Sequence, residues 1–155
     1  MWGEVGKGGG EVFTGEFRHA LDDKGRLFIP TRFRQSLGAR FIVTKGLDGC
    51  LFVYGVETWE AIERKLRDMS FANPDARHFS RFFLGGAEEL EPDRQGRVLL
   101  SPPLRAHAHL GKGAVVLGVG DRVENWSEET WSTYLETDGL EPEQMAKNLS
   151  EVGAL

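Results

Sequence analysis

Apolar positions along this chain change period in a fixed order, and that order occurs twice. Phe17 to Leu21 reads as a first strand, and Gly25 supplies a tight turn because glycine tolerates positive φ. Leu27-Phe28-Ile29 is a short apolar strand stopped by Pro30. Thr31 to Leu37 predicts one helical turn closed by Gly38. Residues 40–44 and 50–54 predict two strands around a glycine-containing loop of hairpin length. A helix from about Glu57 then carries Trp59, Ile62, Leu66 and Met69 on one face, at spacings of three and four.

Asn73-Pro74 predicts the start of another helix, with an N-cap side chain followed by proline at the first helical position. That helix carries Phe79, Phe82 and Phe83 inward and stops at Gly85-Gly86. A second strand, turn, strand and short helix follow, and residues 114–117 and 123–126 form their hairpin. Ser127 caps a further helix with Glu128 and Glu129 near its positive end. Pro142 begins a last amphipathic helix bearing Met145, Leu149 and Val152.

The repetition is visible residue by residue. Asp22-Asp23-Lys24-Gly25-Arg26 returns 71 positions later as Asp93-Arg94-Gln95-Gly96-Arg97, each followed by three apolar residues and a nearby proline. Phe33-Arg34 returns as Leu104-Arg105 at the same offset, and Glu57-Thr58-Trp59 returns as Glu129-Thr130-Trp131 after a slip of one. A repeat of about 45 residues is marginal as an independent domain, so the two copies are expected to pack against each other. The reading by segments is a flexible extension over 1–12, a first β unit over 16–60, a helical linker over 61–86, a second β unit over 87–131 and a helical tail over 132–155. The fold class is mainly β with flanking helices, α+β.

In each turn, Gly makes the bend, Asp bonds backbone N–H groups, and Arg is placed to pair with that Asp. The same arginines, Arg26 and Arg97, are also candidates to reach phosphates or guanine edges, where a guanidinium fork meets O6 and N7. The two roles are compatible if Asp22, Gly25, Asp93 and Gly96 hold the turns while basic side chains point outward. Lys24 strengthens the binding reading for the first copy; its counterpart is Gln95, with Arg94 beside it.

Charge changes the picture only through its distribution. The 155 residues carry a net charge of −5, which by itself argues against nucleic acid. From Arg18 to Arg40, however, six basic residues face only Asp22 and Asp23, whereas from Glu124 onward eight acidic residues face only Lys147. Such asymmetry leaves room for a basic face on an acidic protein. A lone cysteine, Cys50, excludes an internal disulfide and suits a reducing cytoplasm. No apolar run reaches the roughly 18–20 residues that span a bilayer.

Enzyme chemistry has little to stand on. His107-x-His109 would place two ligands on one strand face, but nothing completes a metal site. Phosphate-binding loops, nucleophile elbows and dinucleotide fingerprints are absent from the sequence, so no cofactor is expected. The aromatics Trp59, Phe79, Phe82, Phe83 and Trp131 fall at helical spacings and read as core and interface rather than a base-stacking platform.

These marks resemble the MraZ family of bacterial transcriptional regulators over about residues 13–149. The resemblance rests on Phe13-Thr14-Gly15-Glu16, the two Asp-x-x-Gly-Arg turns, Pro30, Arg77-His78-Phe79-Ser80-Arg81-Phe82-Phe83, Gly86-Ala87 and Pro102-Pro103-Leu104-Arg105. It implies two tandem SpoVT/AbrB-type swapped-hairpin units forming one pseudo-dimeric barrel. It further implies a ring-shaped homo-oligomer that represses transcription by binding G-rich direct repeats in duplex DNA. Those repeats would lie upstream of the division and cell-wall gene cluster that includes the regulator's own gene. The protein would then be cytoplasmic and nucleoid-associated, with no membrane partner. The implied DNA-binding residues are Lys24, Arg26, Arg32 and Arg34 in the first copy and Arg94 and Arg97 in the second. Gln95 for Lys24 and Ser101 for Pro30 make unequal grip by the two copies an expectation. Val12 stands where the family usually begins with Met, so translation is expected to start there, with residues 1–11 an untranslated leader. The rival readings are an AbrB-like antitoxin or assembly scaffold with a partner-binding acidic tail, and a small enzyme.

Overall fold

The structure, a computed structural model, describes residues 12–138 and 141–154. The expectation for the extension therefore lies outside the described residues except at Val12, which is exposed.

Strand β1 spans Phe13–Ala20, β2 spans Arg26–Phe28 and helix α1 spans Thr31–Leu37. The hairpin β3 (Phe41–Lys45) and β4 (Leu51–Gly55) leads into α2 (Val56–Arg67) and α3 (Pro74–Phe83). The second copy repeats the plan with β5 (Glu88–Leu90), β6 (Arg97–Leu99), α4 (Pro102–His107), β7 (Gly113–Gly120) and β8 (Val123–Ser127). Helix α5 (Glu128–Thr133) runs into a wide π turn over Tyr134–Asp138, and α6 (Pro142–Glu151) follows. Strand β1 starts four residues earlier than its apolar pattern predicts. Its first half is read poorly from sequence because Thr14, Gly15 and Glu16 are exposed while their backbone pairs with β7. Helix α1 is longer than the single turn expected, and Gly38 at φ 94° ends it.

The strands form a six-stranded sheet in the order β1-β7-β8-β4-β3-β5 and a separate two-stranded ribbon, β2-β6. The sheet is not closed into a barrel. Its order shows why the copies cannot be separated. Strand β1 of the first copy lies antiparallel to β7 of the second, and β5 of the second lies antiparallel to β3 of the first. The hairpins meet through β4 and β8, where Phe52 faces Glu124, its repeat equivalent. In the ribbon, Leu27 likewise faces its own equivalent, Val98. A pseudo-two-fold axis passes through both pairs, as in an isologous dimer built from one chain.

The core follows the same logic. Leu27, Ile29, Phe33, Phe41, Val43, Leu51 and Val53 share one buried cluster with Val98, Leu100, Leu104, Ala114, Val116 and Val123. Full burial of one such side chain contributes roughly 1.5–3 kcal/mol, and removing either copy would expose the other's half. A second cluster lies on the opposite sheet face. There Phe52, Tyr54, Phe83 and Trp126 are buried and Trp59, Phe79, Phe82 and Trp131 pack against them. The helical aromatics are thus packing residues. Trp131 stacks on Tyr134 with centroids 5.8 Å apart and packs edge-on to Trp126.

Helix starts follow their caps. Asn73 accepts bonds from the N–H groups of Asp75 and Ala76, and Ser127 accepts one from Thr130. Met69, expected on the buried face of the helix after β4, lies beyond its end and is exposed. Cys50 is fully buried, and burial pushes its thiol far up, so it is a packing residue rather than a nucleophile. Burial also raises the Tyr54 hydroxyl to about 12.

Candidate nucleic-acid interface

The two Asp-x-x-Gly-Arg segments fold identically. Gly25 N–H donates to the Asp22 carbonyl at 3.0 Å and Asp22 N–H to the Arg26 carbonyl at 3.0 Å. The second copy repeats these bonds between Gly96 and Asp93 at 2.9 Å and between Asp93 and Arg97 at 2.8 Å. Gly25 at φ 84° and Gly96 at φ 82° occupy the left-handed region that closes a three-residue hairpin loop. Asp22 and Asp23 therefore both lie within the turn.

Each turn aspartate is a hub. Asp22 accepts from the N–H groups of Lys24 and Arg26 and from Arg26 Nε at 2.6 Å. Asp93 accepts from the N–H groups of Gln95 and Arg97 and from Arg97 Nε at 3.0 Å. Arg97 also reaches across the pseudo-axis to Asp22 at 3.6 Å. The backbone N–H of Arg26 is the main influence holding the Asp22 carboxyl below its usual 3.8, and its side chain and the Lys24 N–H add to it. Asp93 is lowered in the same way, first by the Arg97 N–H. A depressed folded value means that this stabilisation is complete above pH 3.8 and fades as pH falls through the folded values below it. Asp22→Asn should accordingly be less stable than wild type near neutrality, and the gap in unfolding free energy should shrink below pH 3.8. A gap unchanged down to about pH 2 would show that the carboxylate plays no part in the turn.

Across the axis the copies clamp each other's glycines. Arg34 donates from Nε to the Ile29 carbonyl at 2.8 Å and lies over the Gly96 turn, and its carbon is 5.3 Å from the centre of the Phe28 ring. Its equivalent, Arg105, donates to the Leu100 carbonyl at 3.0 Å and lies over Gly25. Ile29 N–H bonds the Gly96 carbonyl at 3.0 Å, and Leu100 N–H bonds the Gly25 carbonyl at 3.1 Å. A Cβ on Gly25 would stand 2.7 Å from the Arg105 guanidinium, and one on Gly96 would stand 2.6 Å from that of Arg34.

The six basic residues singled out in the sequence thus separate into three kinds. Arg26 and Arg97 brace the turns, yet at 30% and 28% side-chain exposure they keep part of the guanidinium in solvent. Arg34 clamps the opposite turn, and Arg32 is held at β1, bonded to the Thr14 carbonyl and 5.4 Å over the Phe17 ring. Lys24 and Arg94 stand exposed at the turn tips, with no ion-pair partner among the described residues. Arg105 is the residue that sequence reasoning left out of the site. Its signal was present, because it occupies the repeat position of Arg34.

The ribbon between the tips turns Leu27 and Val98 into the core. Arg26, Phe28, Arg97 and Leu99 alternate to its outer face. The histidines do not form a pair of strand ligands. His107 ends α4 with Nε2 3.0 Å from the Gly46 carbonyl, and His109 follows in the left-handed region.

The sequence that builds this ribbon and its two turns matches a known family. The family model described as "MraZ protein, putative antitoxin-like" matches residues 12–82 and again residues 83–150. The chain belongs to the MraZ family. A protein called Transcriptional regulator MraZ in Heliobacterium modesticaldum is 53% identical over 138 residues, covering 89% of this chain and 96% of that one. The protein of the same name in Desulforamulus reducens is 52% identical over 141 residues, covering 91% and 99%. A third, in Desulfitobacterium hafniense, is 54% identical over 123 residues, covering 79% and 86%. The MraZ match therefore takes in both turns, the ribbon between them and the helices that clamp them. No helix among the described residues is long and apolar enough to cross a membrane.

Proposed function

We propose that this chain is a DNA-binding transcriptional regulator that acts without chemistry on its ligand. The observation that carries the reading is the ribbon's outer face with its two cationic tips. A two-stranded ribbon is narrow enough for the DNA major groove, and here Lys24 and Arg94 stand free at its ends while Arg26 and Arg97 are partly exposed between them. Arg32 and Arg34 would complete the DNA-binding set, Arg34 while also holding the Gly96 turn in place. Names of relatives covering nine-tenths of the chain point the same way.

The finer reading is a repressor of the division and cell-wall gene cluster, including its own gene, that acts on G-rich direct repeats. A ring-shaped homo-oligomer would hold adjacent repeats by avidity, since linked weak contacts raise effective concentration. The site of action would be the cytoplasm, on the nucleoid. Residues 16–60 and 87–131 would be the two swapped-hairpin units of one pseudo-dimeric barrel, joined by a linker over 61–86 and followed by a tail over 132–155. The reciprocal pairing of β1 with β7 and of β5 with β3 supports interleaved units. The tips are not equal. Asp23 is exposed beside Lys24, whereas Arg94-Gln95 carries no acid, so the second tip contributes the larger share of attraction.

The test is a mobility shift with DNA from just upstream of the chain's own gene, carrying one repeat or several, across a salt series. Each neutralised phosphate adds roughly −0.9 to the slope of log affinity against log salt. The expected outcome is a steep slope on several repeats and a much shallower one on a single repeat. Equal slopes would refute avidity, and no shift on either DNA would refute the function.

A further inference from the structure

We propose that Leu99 packs against the C5 methyl of a thymine beside the guanine that Arg26 meets, so that a nearly symmetric ribbon reads its site in one orientation. The proposal rests on the DNA-binding reading above and adds a residue that selects sequence.

The outer face of the ribbon is a two-by-two board. Arg26 lies opposite Leu99 and Phe28 opposite Arg97, so each arginine has an apolar neighbour on the facing strand. The pseudo-two-fold axis exchanges Arg26 with Arg97 and Phe28 with Leu99. Directly opposed side chains of an antiparallel pair have Cβ atoms about 4.5–5.5 Å apart. Bases along one DNA strand follow at about 3.4 Å, so two such neighbours are spaced to meet neighbouring bases together.

The two apolar positions are not equivalent. Phe28 is half-buried: His19 packs edge-on to its ring with centroids 4.9 Å apart, and the Arg34 guanidinium carbon lies 5.3 Å from the ring centre. In the second copy of the repeat the place of His19 is taken by Leu90, which packs against the core, and Leu99 is left 58% exposed. The core does not draw on Leu99, because its neighbours Val98 and Leu100 fill that role and are fully buried. A single exposed leucine is ordinary on a protein surface. This one is set apart by its place, directly across from a partly exposed arginine on the face that carries the two turns.

That pairing suits one kind of base step. In the major groove guanine offers O6 and N7 to a guanidinium, and thymine alone of the four standard bases presents a methyl group. An arginine gains nothing from that methyl, whereas a branched aliphatic side chain covers it. A ribbon with exact two-fold symmetry would lie either way along the groove with equal affinity. With Phe28 covered and Leu99 bare, the methyl contact forms in one half only, and one orientation is favoured.

The test replaces thymine by deoxyuridine, which removes the methyl and keeps the base pair. DNA from upstream of the chain's own gene is made with the thymines of one repeat replaced, first together and then singly. Binding is measured at low ionic strength, where phosphate contacts hold even weakened variants on the DNA. Wild type is expected to lose about fourfold in affinity, the factor for taking one methyl-sized apolar group out of water, and the loss should map to one thymine next to a guanine. Leu99→Ala should bind the natural DNA more weakly than wild type, show no further loss on the substituted DNA, and keep its circular dichroism and melting temperature. If wild type binds both DNAs equally, no methyl is read and the proposal falls while DNA binding stands. If Leu99→Ala loses as much as wild type on substitution, the methyl acts elsewhere or through DNA shape, which also overturns it. Two thymines of equal weight at two-fold-related positions would show that Phe28 reads as well, and would end the orientation argument. If wild type binds neither DNA, this proposal and the function fall together.

Discussion

Replacing Lys24 and Arg94 together with alanine is expected to weaken binding to DNA carrying several repeats roughly hundredfold, with the melting temperature unchanged. Both side chains stand at turn tips, exposed and without an ion-pair partner among the described residues, so their removal leaves nothing buried unpaired. A cation on a base edge is worth about 1–3 kcal/mol of affinity, and one on a phosphate contributes about one unit of salt slope. The salt slope should therefore fall by up to two per engaged chain, which a titration at several ionic strengths reads directly. Arg94→Ala alone should do more than Lys24→Ala, because Asp23 already offsets Lys24. Wild-type affinity in the double variant would move the interface away from the tips. Arg26→Ala provides the contrast: its Nε holds Asp22, so binding and stability should fall together.

Gly25→Ala and Gly96→Ala are each expected to destabilise the fold by about 2 kcal/mol or more. Left-handed backbone strain on a non-glycine residue costs about 1–3 kcal/mol. At these sites the added Cβ also meets a guanidinium from the other copy at 2.7 Å and 2.6 Å. The clamping arginine would have to leave, giving up its bond to the Leu100 or Ile29 carbonyl. Melting temperature should drop by several degrees in each variant, since 1 kcal/mol shifts a domain of this size by about 2–4 °C. Gly25→Ala combined with Arg105→Ala isolates the two causes. If removing the arginine recovers part of the loss, the cross-copy clash is real; if it recovers nothing, strain alone accounts for the effect. Either glycine replaced without loss would refute the turn geometry.

Much of this was legible in the chain itself. The offset of 71 between the Asp-x-x-Gly-Arg segments announced two equivalent turns, because glycine closes such a loop at positive φ without the strain a Cβ brings. Local chemistry set the helix starts at Asn73 and Ser127, since an N-cap needs only its own N–H neighbours. Helical spacing placed Phe79, Phe82 and Phe83 in one layer, but it ran one turn too far at Met69, because period says which face a residue takes and not where packing ends. Pairing could not be read the same way. That β1 would lie on β7 and β5 on β3 depends on residues 93 to 107 positions apart in the first pairing and 45 to 49 in the second, and no local pattern encodes partners at such distances. The division of labour among the basic residues has the same origin. Lys24, Arg26, Arg34 and Arg94 are alike in charge, and only the pseudo-two-fold axis, by bringing each copy's helix over the other's turn, makes Arg34 and Arg105 clamps and leaves Lys24 and Arg94 free. Sequence determined that there are two charged turns; the tertiary fold decided which charges stabilise them and which face outward.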